Sequence, residues 1–177
     1  MSQRGLVIVA GLFLVAFALL GLGQRGYREI AALQSMDEAV KAVRRDFPSA
    51  RPVSTGELAG LLARPDKPLL VDVRSEGEFA LSRLPGAVRH DDADDLVALS
   101  GHAGGLVLYD SSGSRSAKLA GELSRRGVRD VAYLAGGIFQ WANEDRPLAD
   151  AAGHPTARVH PYNRFWGRLL KPRLRGQ

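Results

Sequence analysis

The chain has 177 residues, 45% of them hydrophobic, and its 24 Lys and Arg against 19 Asp and Glu give a net charge of +5. That is room for one domain with short appendages, and the composition excludes wholesale disorder. Cysteine is absent, which excludes a disulfide, a thiolate metal site, a thiol nucleophile and a persulfide carrier among these residues.

Residues 5–23, "GLVIVAGLFLVAFALLGLG", follow a four-residue flank (1–4) and run for 19 positions without a charge. At about 1.5 Å per residue a helix of that length just crosses roughly 30 Å of hydrocarbon, so a transmembrane anchor is predicted. The alternative is a cleaved signal peptide, for which Gly21 and Gly23 supply small residues, although signal cores are usually shorter and follow a more basic start than Arg4. Arg25 and Arg28 lie just beyond the span, against Arg4 before it. This bias places the soluble body in the cytoplasm, with a periplasmic or exported body as the alternative.

Residues 24–50 are predicted to hold a juxtamembrane helix. Leu33, Met36, Val40, Val43 and Phe47 recur at three- and four-residue steps and line up an apolar stripe. Two heptads are too few for a coiled coil, so the stripe packs on its own domain or on a second copy. Pro48 and Pro52 close the segment.

From residue 53 short apolar runs alternate with helical patterns. "LLVDV" (69–73), "AVR" (87–89), "LVLY" (106–109) and "VAYL" (131–134) read as strands. "STGELAGLLA", "EGEFALSR", "DDADDLVALS" and "SRSAKLAGELSRRG" read as helices. Ser54 with Glu57 makes a capping box, and Gly127 stands where a helix end favours a left-handed residue. The alternation predicts an α/β fold, a small and mainly parallel sheet with helices on both faces. Ligands of such sheets sit at the carboxyl ends of the strands, which is where Asp110 falls, directly after "LVLY".

The turn "DSSGSRS", Asp110-Ser111-Ser112-Gly113-Ser114-Arg115-Ser116, leads from strand to helix. Its backbone N–H groups, freed by Gly113, can converge with the helix start on one point and make an anion cradle, with Arg115 adding charge or stiffness. Most such turns serve only as caps. "RHDDADD" gathers His90, Asp91, Asp92, Asp94 and Asp95. Acids are favoured in a first helical turn by the helix dipole, so this cluster is read as a solvated helix start and no metal or cofactor is expected.

Three motifs in order carry a resemblance to the rhodanese homology domain over roughly residues 52–148. "LLVDVRSEGEFALSRLPGAV" is similar to the family's second-strand signature, here Asp72, Arg74, Glu78, Pro85, Gly86 and Ala87. "YLAGGIFQWANEDRPL" resembles its C-terminal signature, with Gly136, Gly137, Trp141 and Pro147. Between them the family's active loop, Cys-x-x-Gly-x-Arg-Ser, matches Asp110 to Ser116 at every marked position except the first. Arg83 is a second departure, at a position where many members have histidine.

The resemblance implies a loop thiolate that takes a sulfane sulfur and passes it on as a persulfide. A carboxylate is a hard oxygen base with no stable sulfur-carrying form, so Asp110 removes that chemistry. Aspartyl phosphoryl transfer needs a metal and usually a second acid two residues on, where Ser112 stands. The expectation is therefore that no residue is catalytic, and that the Asp110 carboxylate folds into the cradle in place of an anion.

Residues 154–177 carry six Lys or Arg and no acid, leaving −1 on the other 153 residues. The tail interleaves Arg158, Arg164, Arg168, Lys171, Arg173 and Arg175 with Tyr162, Phe165, Trp166, Leu169 and Leu170. It suits anionic lipid headgroups or packing on its own domain better than nucleic acid. The predicted order is thus anchor (5–23), juxtamembrane helix (24–50), rhodanese-like domain (51–149) and basic aromatic tail (150–177). The function expected is a single-pass, non-catalytic binding or scaffolding module with a protein partner that the sequence does not name. The alternative is a sulfurtransferase that relies on a partner's cysteine.

Overall fold

Branched and aromatic residues dominate four short runs of the chain, and these become the strands β2 (Leu69–Asp72), β3 (Val88–Arg89), β4 (Leu106–Tyr109) and β5 (Val131–Leu134). The structure, a computed structural model, describes residues 35–176. A two-residue strand, β1 (Pro52–Val53), joins them in a five-stranded sheet of order β1-β5-β4-β2-β3, with every pairing parallel. The predicted anchor at 5–23 lies outside the described residues. Among those described, no helix is long and apolar enough to cross a membrane.

The strands are apolar at nearly every position because both faces are covered. Leu70, Val107, Tyr109, Ala132 and Leu134 point to one face, while Val71, Leu106, Leu108, Val131 and Tyr133 point to the other, as a two-residue period requires. Helices α2 (Thr55–Leu62) and α6 (Gly137–Asn143) cover the first face through Leu58, Ile138, Phe139 and Trp141. Helices α4 (Ala93–Ala98) and α5 (Ser114–Arg125) cover the second through Leu96, Ala117, Ala120 and Leu123. The short α3 (Glu76–Leu81) sits between β2 and β3.

Local chemistry sets the helix ends. Ser54 and Glu57 form the expected capping box, with the Ser54 amide donating to the Glu57 carboxylate at 2.8 Å. Asp92 caps α4 by accepting from the Asp94 amide at 2.8 Å, so the acidic run is a helix start. Gly127 follows α5 in the left-handed region.

Helix α1 (Met36–Asp46) belongs to the domain. Ala39 packs into the core on one face of the sheet and Val43 into the core on the other, with Met36, Val40 and Phe47 half-buried beside them. The stripe read from the sequence therefore packs on its own domain over these residues.

The C-terminal tail also folds back. After the hairpin β6–β7 (Leu148–Ala149 with Pro155–Thr156), Val159, Leu169, Leu170 and Leu174 enter the core against α2 and α6. The Val159 amide donates to Leu174 at 2.7 Å, and the Gly176 amide donates to Val159 at 2.9 Å. Asn143, at the end of α6, clasps the tail by donating to the Leu169 carbonyl at 2.7 Å and accepting from the Lys171 amide at 2.9 Å. The leucines that the sequence offered to lipid are thus spent on the core, while Tyr162 and Phe165 stay exposed.

A tail that belongs to the core carries stability. Leu170→Ala is expected to lower the unfolding free energy by about 2–4 kcal/mol in urea titrations. An unchanged midpoint would mean that the tail is only an appendage.

Candidate active site at the carboxyl edge of the sheet

Strands β2 and β4 are neighbours in register, with Asp72 opposite Tyr109. The loops that leave them therefore emerge side by side at the carboxyl edge. Asp72 turns back onto the chain that follows it: its carboxylate accepts from the Arg74 guanidinium at 2.6 and 2.9 Å and from the Arg74 amide at 3.0 Å. Both side chains are buried, at 0% and 2% exposure. Burial works against the Arg74 charge, but the Asp72 hydrogen bonds and charge outweigh it and raise its pKa.

The pair braces the turn at residues 84–87. Arg74 Nη2 also donates to the Ser82 carbonyl at 2.6 Å, and the Leu84 amide donates to the Tyr109 hydroxyl at 3.1 Å. The Ala87 amide then donates to the Leu84 carbonyl at 3.1 Å, which closes a turn with Pro85 and Gly86 at its centre. Gly86 has φ +77°, so the Pro-Gly order is what such a turn requires. Arg74 Nη1 is buried without a hydrogen-bond partner.

Residues 110–116 then wrap around one side chain. Asp110 Oδ1 accepts from the Gly113 amide at 2.7 Å, from the Ser116 hydroxyl at 2.7 Å and from the Ser116 amide at 3.5 Å. Oδ2 accepts from the Arg115 amide at 3.3 Å. Gly113 permits the wrap because its φ is +99°, where a side chain would be strained. The expected insertion of the carboxylate into the cradle is therefore present.

Its energetics differ from a simple charge lock. Burial pushes the Asp110 pKa up, and the hydrogen bonds from Ser116, Arg115 and Gly113 pull it back without cancelling that rise. The loop is held by donors that favour a carboxylate, in a place that resists charge.

Ser111 donates its hydroxyl to Glu78 Oε1 at 3.1 Å, and Glu78 Oε2 accepts from the Ser75 hydroxyl at 2.7 Å and from its amide at 3.2 Å. Burial raises the Glu78 pKa, but the Ser75 bonds and the Arg74 charge outweigh it, leaving the group below its ordinary value. Both carboxylates near the loop are thus satisfied internally. Arg115 points outward and half-exposed, 3.6 Å from Asp91.

Helix α6 clamps the loop from the β5 side. The Ile138 amide donates to the Asp110 carbonyl at 2.9 Å and the Phe139 amide to the Ser111 carbonyl at 3.1 Å. Gly136 and Gly137 have φ +78° and +56°, and a Cβ on Gly137 would fall within 2.8 Å of three backbone atoms of Asp110 and Ser111. Trp141 packs in the core, its indole N–H donating to the Pro147 carbonyl at 2.9 Å.

A family model described as Rhodanese-like domain matches residues 54–144, about half of the chain, and takes in this loop, the braced turn and the double glycine. The chain belongs to the rhodanese-like family. A protein named sulfurtransferase from Allochromatium vinosum is 29% identical over 103 residues, which is 57% of this chain and 96% of that one. A thiosulfate sulfurtransferase from Pseudomonas aeruginosa superposes with a TM-score of 0.55 at 18% identity, over 65% of this chain. This chain spans 22% of the length of that structure, so the likeness is one of fold. A rhodanese-related protein from Thermoplasma volcanium matches over 56% of this chain and 97% of its own, at 20% identity and a TM-score of 0.49.

The rhodanese-like loop faces an open cleft of about 300 Å³, which takes in residues that no motif marked: Phe47 after α1, Lys118 on α5, and Tyr162 and Trp166 of the tail. Lys118 follows Ser114 by one helical turn, the only sequence signal for its place. Asp72, Pro85, Gly86, Gly136, Gly137 and Trp141 brace or pack the site without lining the cleft. The acids of the 91–95 run cap α4 and pair with Arg89, Arg115 and Arg126.

Two outcomes follow from this geometry. Gly137→Ala is expected to cost about 2–4 kcal/mol in thermal unfolding, from left-handed strain plus overlap with the loop. Gly60→Ala, in open space on α2, is the stabilising control. For Asp110, a folded pKa above the unfolded value means a contribution complete in acid and lost as pH rises through the folded pKa. The melting-temperature margin of the native chain over Asp110→Asn should therefore shrink from pH 3.5 towards neutrality. A margin that grows with pH would contradict it.

Proposed function

We propose that this chain is a non-catalytic rhodanese-like binding module, held at a membrane by residues 5–23, whose anion cradle is closed by its own aspartate. One observation supports the closure above all. The Asp110 carboxylate accepts from three loop amides and the Ser116 hydroxyl, the donors that would otherwise meet a ligand anion. The family resemblance puts the sulfur-carrying cysteine at this position, and the chain has none to stand in for it. A carboxylate cannot take up sulfane sulfur, so the reading assigns the domain to binding rather than turnover.

The anchor rests on the 19-residue uncharged run and on Arg25 and Arg28 beyond it, which favour a cytoplasmic body. In the tail, Tyr162 and Phe165 are exposed, with Arg164 and Arg168 lying 5.7 and 5.8 Å from the Phe165 ring centre. That pairing of aromatic and basic groups suits anionic lipid headgroups beside an anchored domain. A second reading, sulfur transfer that uses a partner's cysteine, is favoured by the likeness to the A. vinosum sulfurtransferase.

Thiosulfate-to-cyanide transfer by the full chain in neutral detergent, run beside Asp110→Cys, tests the proposal. No activity in the native chain and measurable activity in the variant are expected, since nucleophile loss typically removes several orders of magnitude in rate. Activity in the native chain would overturn the non-catalytic reading.

A further inference from the structure

The family match ends at residues 54 and 144, yet the apolar side of the cleft over the loop comes from outside it. Phe47 lies before that stretch, and Tyr162 and Trp166 lie after it. The same lining includes Arg115 and Lys118, one helical step apart on the first turns of α5. The cleft also contains Asp110 and Glu78, but both are consumed by loop and serine donors. Neutral donors do not cancel the charge of those carboxylates, but Asp110 and Glu78 are buried while Arg115 and Lys118 are exposed, so the charge most open to solvent in the lining is cationic. Lys118 has no ion-pair partner among the described residues, and Arg115 has only Asp91 at 3.6 Å. Arg74, whose Nη1 is buried and unpartnered, contributes to the same lining.

Tyr162 stands at the mouth with φ +62°, a conformation that a bulky side chain seldom adopts. The Tyr162 amide donates to His160 Nδ1 at 3.1 Å, and Asn163 accepts from the Phe165 and Trp166 amides at 2.9 and 3.0 Å. These local bonds hold an aromatic side chain at the rim while it stays 58% exposed. Strain kept at a cleft mouth is characteristic of a functional position.

We propose that this cleft binds a small amphipathic organic anion, an aromatic or short aliphatic body with one carboxylate, sulfonate or phosphate. The anionic group sits on Arg115 and Lys118, above the closed loop, and the apolar body lies between Phe47, Tyr162 and Trp166. At about 300 Å³ the space is at the small end for ligand pockets, which fits one ring with one charged substituent. Charge and apolar surface in one cleft select against two simpler ligands: inorganic anions lack the body, and neutral aromatics lack the charge. This site rests on the reading that Asp110 closes the cradle, because an open cradle would draw the anion into the loop.

The test is a ¹⁹F line-broadening titration of the full chain in neutral detergent with 4-fluorobenzenesulfonate, blanked against empty micelles. Saturable broadening is expected, with 4-fluorobenzyl alcohol at least roughly fivefold weaker and inorganic sulfate a poor competitor. Lys118→Ala and Tyr162→Ala, both at exposed positions, should each weaken binding roughly fivefold or more with melting temperatures unchanged. Equal binding of the neutral alcohol would overturn the proposal, leaving an unselective apolar patch. Sulfate competing as strongly as the arylsulfonate, with Tyr162→Ala silent, would put the anion in the loop and overturn the closed cradle too. No binding of either anion would overturn this site alone and leave the closed cradle standing.

Discussion

The buried pair of Asp72 and Arg74 is the interaction on which the carboxyl edge of the sheet is assembled. Its two side chains lie on the segment leaving β2, yet through the Ser82 carbonyl and the Tyr109 ring they reach the turn before β3 and the end of β4. Taking two charges out of water costs several kcal/mol each, and bidentate geometry with further hydrogen bonds is what offsets it. Removing either partner alone would leave the other charge buried and unpaired. The position of the 110–116 loop is inherited from this brace, because the loop begins where Tyr109 ends.

Within that frame the loop solves a problem of its own. A ring of inward-facing amides favours a negative charge, and when no ligand supplies one the amides must otherwise meet water or remain unsatisfied. Asp110 supplies the charge from within the chain. The tension between donors that favour a carboxylate and burial that opposes it appears as the raised pKa, and makes the loop's stability depend on pH. An internal anion at this position keeps the cradle's donors satisfied with no bound ligand.

The aromatic part of the site is built by segments that lie outside the family-matched residues 54–144 but pack into the same core. The end of α1 and the folded-back tail supply the aromatic wall, and the tail is fixed by Asn143, by Asp145 pairing with Arg173 at 2.6 Å, and by Val159, Leu169, Leu170 and Leu174 in the core. A family likeness confined to residues 54–144 accounts for the loop and the basic residues of the cleft and not for its aromatic lining. Differences of function between rhodanese-like domains can lie in such walls even where the loop is the same length.

The sequence by itself determined the four main strands, five of the helices, the capping box at Ser54, the helix end at Gly127, and the order of motifs that places Asp110 at the end of β4. Those features are local: period-two burial, capping side chains and glycines at left-handed positions are written within a few residues of where they act. It left α6 unread, because Gly136 and Gly137 look like a loop until the loop carbonyls they approach are in place, and it left β1, β6 and β7 unread, because no period fits in two residues. Only the tertiary structure decided that α1 and the tail belong to the core. It alone brought Phe47, Lys118, Tyr162 and Trp166 to one cleft. The physical reason is range: an amphipathic tail with aromatic and basic residues is equally suited to a membrane or to a protein surface, and the choice is made by apolar area that becomes available only when the distant strands and helices have packed.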